Sequence, residues 1–109
     1  MEMGMPLIAW FTFVASAVLE VAGDAMIRRG LRSRGFMFIA AGFISLGCYG
    51  LVVNSVKWDF SKLLGVYVAV FAVVSILAGR FVFGEVIAVS TWVGLGVIVV
   101  GGFIIQFGH

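Results

Sequence analysis

LIAWFTFVASAVLEVAGDAMI, residues 7–27, decides the fold. Thirteen uncharged residues, starting at Leu7, precede Glu20. The run has the roughly 20 residues that a helix needs to cross the hydrocarbon core of a bilayer. Three more stretches match it in length and character, at about 35–56, 63–83 and 87–107. All four are continuously apolar rather than alternating, which excludes the strands of a membrane barrel. The links RRGLRSRG (28–35), KWDFSK (57–62) and FGEVI (83–87) are too short to hold a soluble domain. Short links force neighbouring helices to run antiparallel. The expectation is an all-α membrane protein, a four-transmembrane-helix bundle forming one transmembrane domain over residues 1–109.

Composition points the same way. Of 109 residues, 63% are hydrophobic and 11% charged, against about 25% charged in soluble domains. A soluble chain of this size has too little interior to hide so much apolar side chain. The first run lacks a preceding Lys or Arg and exceeds the roughly 7–15 residues of a signal-peptide core, so it reads as a mature helix. Seven Lys+Arg stand against five Asp+Glu. The basic residues lie in or near the links, as membrane-topology signals do, and no nucleic-acid partner is expected. Arg28, Arg29, Arg32, Arg34 and Arg80 fall on one side, and Lys57 and Lys62 on the other. That bias places the first and third links in the cytoplasm and both termini outside. Trp10, Trp58 and Trp92 then sit near the external face as interfacial anchors.

Glu20 lies past the middle of the first span. An ionised carboxylate there costs at least about 2.5–3.5 kcal/mol on insertion scales. Desolvation favours its neutral form. Such a group can exchange its proton for a cationic substrate, which is more than a packing role requires. Asp24 follows one turn later and Arg28 one turn beyond that. Asp24 therefore reads either as an ion pair with Arg28 or as a second acid coupled to Glu20, a proton stepping-stone. Candidate partners for Glu20 are Ser45 and Tyr49, one turn apart on the second helix, and Tyr67 near the start of the third. A phenol can donate to a carboxylate, and its ring can attract a cation. Asn54, Ser55 and Ser75 are further polar groups within the apolar runs.

Cys48 reads as a small packing residue. No metal-ligand cluster, nucleophile–base pair or phosphate loop is present. Glycine pairs such as Gly94 and Gly96 within a span are packing signals. A non-enzymatic chain without cofactor or metal is expected. The fifteen glycines lie mostly inside the spans, where small residues let helices approach closely. Gly94 and Gly101 are seven apart on one face of the fourth helix and are candidates for packing against a second copy, with packing inside the monomer as the alternative. Four helices enclose too little space for a substrate cavity, so a dimer of eight helices is expected.

LEVAGDAMIRRG (Leu19–Gly30) resembles the first-helix motif of the small multidrug resistance transporter family, with Glu20, Gly23 and Arg28 at the matching positions. GVYVAVFAVV (Gly65–Val74), FGE (Phe83–Glu85) and GLGVIVVG (Gly94–Gly101) resemble that family's substrate-site segment, turn and dimerisation motif. The resemblance covers almost the whole chain. It implies an antiparallel homodimer in a prokaryotic inner membrane, multi-pass, exporting quaternary ammonium or guanidinium-like cations in exchange for protons at paired Glu20 side chains. Tyr67 stands where the family carries tryptophan, Phe71 where a glycine is expected, and Asp24 is an added acid. The arginine bias exceeds what dual topology needs. The chain also looks like the wider drug/metabolite transporter superfamily, so a lipid or metabolite flippase subunit, possibly heterodimeric, is the alternative. A non-transporting scaffold is a third reading, which the buried acids oppose.

Overall fold

The computed structural model describes residues 4–108. The described residues form four helices: α1 Gly4–Ser33, α2 Phe36–Val53, α3 Phe60–Phe81 and α4 Val89–Phe107. Each is long and apolar enough to cross a membrane. No strand occurs among the described residues. Large apolar side chains are exposed along all four helices. A helix satisfies its own backbone polar groups, so such a surface is stable only where the surroundings are lipid or another apolar partner. The chain divides into two compact units, residues 1–56 and 57–109. The first is the α1–α2 hairpin and the second the α3–α4 hairpin.

The first unit is held by small residues in register. Ala9, Ser16, Gly23 and Gly30 recur every seventh residue on α1, and all four are buried. A seven-residue repeat keeps one seam of a helix facing its neighbour. At Gly23 a Cβ would meet Leu46 at 2.8 Å and the Gly42 carbonyl oxygen at 3.0 Å. At Gly42 a Cβ would meet Ile27 at 2.5 Å and the Gly23 carbonyl oxygen at 2.8 Å. The two backbones therefore touch at a glycine–glycine crossing, the kind of approach that dispersion forces reward inside a membrane. The pairs Gly30–Ile39, Ile27–Gly42 and Gly23–Leu46 step in opposite directions along the two helices, as an antiparallel hairpin requires.

The helix ends differ from the expected ones for local reasons. α1 does not stop at Ile27 but runs through RRGLRS to Ser33. It ends where Arg34 takes a left-handed conformation, φ 58°, and the Gly35 amide donates to the Gly30 carbonyl at 2.9 Å. This six-residue closure satisfies a freed carbonyl at the helix end, and glycine is its usual left-handed residue. α2 ends at Val53 rather than near Val56. Asn54 and Ser55, expected inside the span, fold back instead. The Asn54 amide donates to the Gly50 carbonyl at 2.8 Å, and the Ser55 hydroxyl to the Val52 carbonyl at 2.6 Å. α3 begins earlier than expected, at Phe60, and Lys62 lies over the Trp58 ring at 4.7 Å.

In the second unit, Gly102 approaches Ala69, where an added Cβ would come to 2.7 Å, and Gly65 approaches Ile105 at 2.8 Å. α3 stops at Phe81 and α4 starts at Val89, so the connection is longer than FGEVI. Gly84 turns it at φ 66°, and the Glu85 amide donates to the Gly79 carbonyl at 2.9 Å. Cβ atoms at Gly94, Gly96 and Gly101 would meet nothing within 4 Å. Cys48 is exposed rather than packed.

Gly42→Ala is expected to lower stability by about 1–3 kcal/mol, the usual cost of overpacking, because the added methyl faces backbone that cannot rotate away. Gly47→Ala, which meets nothing within 4 Å, should leave stability unchanged or slightly raised. Unfolding midpoints of the two variants in the same detergent check this pair. Arg34→Gly should stabilise by about 1 kcal/mol, since a left-handed L-residue is strained by that order, read in the same assay.

Candidate functional site in the first hairpin

The glycine crossing determines which α2 side chains meet the turn of α1 that carries Glu20. Glu20 shares a stripe with Phe13 and Ile27, each seven residues away. Phe13 is wholly buried, and Ile27 lies where a Cβ on Gly42 would fall. The Glu20 stripe thus borders α2, and Glu20 is half-buried. One turn beyond Gly42, buried Ser45 donates its hydroxyl to the Leu19 carbonyl at 2.7 Å. That bond ties α2 to the residue immediately before Glu20. A further turn along α2, the half-buried Tyr49 has its phenol within electrostatic reach of both Glu20 and Asp24. Neither Glu20 nor Tyr49 stands free of partners.

The sequence-derived candidates therefore divide. Glu20, Ser45 and Tyr49 are brought to one stretch of the α1–α2 interface, with Ser45 engaged to backbone rather than to a carboxylate. Asp24 and Arg28 are both exposed, and among the described residues they form no ion pair. Arg29 instead lies over the Phe38 ring, 4.8 Å from its centre. Tyr67 belongs to the second unit, where it is buried with its ring 6.3 Å from Phe71. Ser75 donates to the Ala72 carbonyl within α3 at 3.0 Å. Thr12 and Ser16 do the same within α1, to the Ile8 and Thr12 carbonyls at 2.8 and 2.7 Å. The residues that set the α1–α2 spacing, Gly23, Gly30 and Gly42, are not among the site candidates read from sequence. The signal that reveals them is the small residue at every seventh position of α1. Among the described residues no group of three His, Cys, Asp or Glu side chains could hold a metal ion.

An arrangement of this kind offers a carboxyl group flanked by a phenol, on a rigid crossing, with a second acid one turn nearer the helix end. It can hold a proton, release it, or face a cation.

A membrane protein of Nocardia farcinica is 34% identical over 99 residues, which cover 87% of this chain and 87% of the relative. It is named a UPF0060 membrane protein. This chain belongs to the UPF0060 family. A UPF0060 relative from Saccharopolyspora erythraea is 39% identical over 74 residues, 66% of this chain and 67% of its own length. Another from Mycolicibacterium gilvum is 36% identical over 69 residues, 62% of this chain and 64% of its own. No family model matches the chain. No solved structure matches it. With bacterial relatives and four spanning helices, this UPF0060 member is a multi-pass membrane protein of prokaryotic type.

Ser45→Ala should weaken the hairpin by about 0.6 kcal/mol, the average worth of an interhelical hydrogen bond in a membrane protein. Thermal unfolding in detergent measures the loss. A change no larger than that of Ser75→Ala, which removes only a bond within α3, would deny Ser45 an interhelical role.

Proposed function

We propose that the protein is a proton-coupled exporter of small organic cations, quaternary ammonium or guanidinium-like, in which Glu20 is shared between proton and substrate. It works without cofactor, metal or covalent chemistry, as a dimer whose two Glu20 groups form the site. The observation that carries the reading is Glu20 itself, half-buried on the stripe of α1 that borders α2. An ionisable residue held inside a span is costly, and function is what retains it. Tyr49 supports the reading, because its phenol senses both acids and can donate to whichever carboxylate is charged. Asp24, exposed one turn nearer the arginine-bearing end of α1, is positioned for proton delivery.

The cycle follows from charge. Glu20 binds a cation only when deprotonated, so proton and substrate exclude one another. Inward release of a proton frees the site for substrate, and an incoming proton from outside expels it. The open glycine face of α4, Gly94 and Gly101, is the surface on which a second copy would pack. The likeness of Leu19–Gly30 and Gly94–Gly101 to small multidrug resistance motifs supports the same scheme. A second reading, a lipid or metabolite flippase subunit, draws on the arginine bias. Five basic residues against two favour a fixed orientation, which suits a parallel or heterodimeric assembly.

Glu20→Gln should abolish both cation export and the proton release that follows addition of tetraphenylphosphonium or guanidinium to detergent-solubilised protein, while helicity is retained. Apparent cation affinity of the unaltered protein should fall by up to about tenfold for each pH unit below the titration of Glu20, since one unit of proton activity is one factor of ten. Normal proton-for-cation exchange by Glu20→Gln would refute the scheme. Labelling of a terminal tag from one side only would favour the flippase reading.

A further inference from the structure

The described part of α1 has 30 residues, about 45 Å at 1.5 Å per residue. The apolar segment 7–27 alone covers about 30 Å, the thickness of the hydrocarbon core. Residues 28–33 therefore carry the helix about 9 Å further, into the headgroup layer. Arg28, Arg29 and Arg32 lie on this projecting turn and a half, and Arg34 forms the turn after it; all four are exposed. Arg28 and Arg32 are one turn apart on one face, with Arg29 beside them. The nearest acid on α1, Asp24, is exposed one turn earlier and forms no ion pair with Arg28 among the described residues.

The surroundings of these guanidinium groups are apolar. Leu31, Phe36 and Met37 are 69%, 84% and 82% exposed at the same end of the hairpin. Arg29 rests over the Phe38 ring at 4.8 Å. Exposed Phe43 and Ile44 lie deeper along α2, inward of guanidinium groups that form no ion pair among the described residues, an order that matches the boundary between acyl chains and phosphates. A guanidinium binds phosphate through two parallel N–H donors, and clustered basic residues next to a span attract anionic lipids.

We propose that the arginine-bearing end of the α1–α2 hairpin, formed by Arg28, Arg29, Arg32 and Arg34 among Leu31, Phe36 and Met37, is a binding surface for the phosphate headgroups of anionic phospholipids. The occupant is a lipid rather than a free anion, because exposed Phe43 and Ile44, on the hydrocarbon side of the arginines along α2, are offered to its acyl chains.

The test measures the thermal midpoint of the full chain in detergent micelles titrated with phosphatidylglycerol, phosphatidylcholine or inorganic phosphate. Phosphatidylglycerol is expected to raise the midpoint above the phosphatidylcholine value. Each arginine exchanged for glutamine should weaken phosphatidylglycerol binding by about fivefold. The triple variant R28Q/R29Q/R32Q should lose the difference between the lipids, with circular dichroism confirming its helices. R32Q alone gives the same reading in fivefold measure should the triple variant fail to fold. The variant K57Q/K62Q, altered on the other connection, should keep the full effect. Equal shifts with both lipids would overturn the proposal, as would an equal loss in K57Q/K62Q. The same shift from inorganic phosphate alone would assign the surface to a free anion and overturn it too.

Discussion

Contact between two backbones, at Gly23 and Gly42, is the constraint on which the first hairpin depends. Neither position can carry a side chain without pushing against a main-chain carbonyl, so the spacing of α1 and α2 is fixed by atoms that have no rotamers. The polar contact between the two helices is placed from this crossing. One turn away Ser45 reaches the Leu19 carbonyl, and a second turn away Tyr49 comes under the influence of both acids. Glu20 is half-buried on the stripe of α1 that borders α2. In a membrane, where no hydrophobic force draws apolar helices together, close packing and a few hydrogen bonds supply the cohesion. The same few contacts therefore hold the hairpin and set the geometry of its carboxyl group.

The two ends of α1 serve different solvents. Its apolar length matches the hydrocarbon core, and its arginine-bearing extension belongs to the headgroup layer. Arg32 in the last turn also complements the partial negative charge at a helix C-terminus. The left-handed Arg34 is then intelligible. A glycine would close the turn with less strain, but it would remove a basic residue from the rim where the charge bias of the chain is concentrated.

Much of this was legible in the sequence, and the remainder was not for definite reasons. Four spans follow from four apolar runs, since length and composition suffice for a helix in lipid. Helix ends were harder. RRGLRS looked like a link because it is charged, yet Arg, Leu and Ser are compatible with a helix, and Gly30 is tolerated because its bare Cα packs on Ile39. Asn54 and Ser55 looked intramembrane because residues on both sides are apolar, whereas their short polar side chains compete for the carbonyls freed at a helix end. The connection around FGEVI is longer than its composition suggests, since Gly84, with positive φ, turns the chain into a stretch without helix or strand. For the site, Glu20 and Asp24 declare themselves as charges where charge is costly. Ser45 and Tyr49 could be named from their spacing, but the hydroxyl of Ser45 goes to a main-chain oxygen, a choice that depends on helix register. The register was written in Ala9, Ser16, Gly23 and Gly30, a signal of small residues that is easily hidden among fifteen glycines.

The brevity of the Arg34–Gly35 turn bears on how the chain enters the bilayer. α1 is the least apolar of the four helices and carries both acids of the hairpin. With two residues between it and α2, the pair can partition from the insertion machinery together, the second helix arriving before the first has to dissolve in hydrocarbon by itself. The companions of Glu20 are delivered in the same stroke of synthesis, and the penalty of burying an acid is shared by the segment translated directly after it.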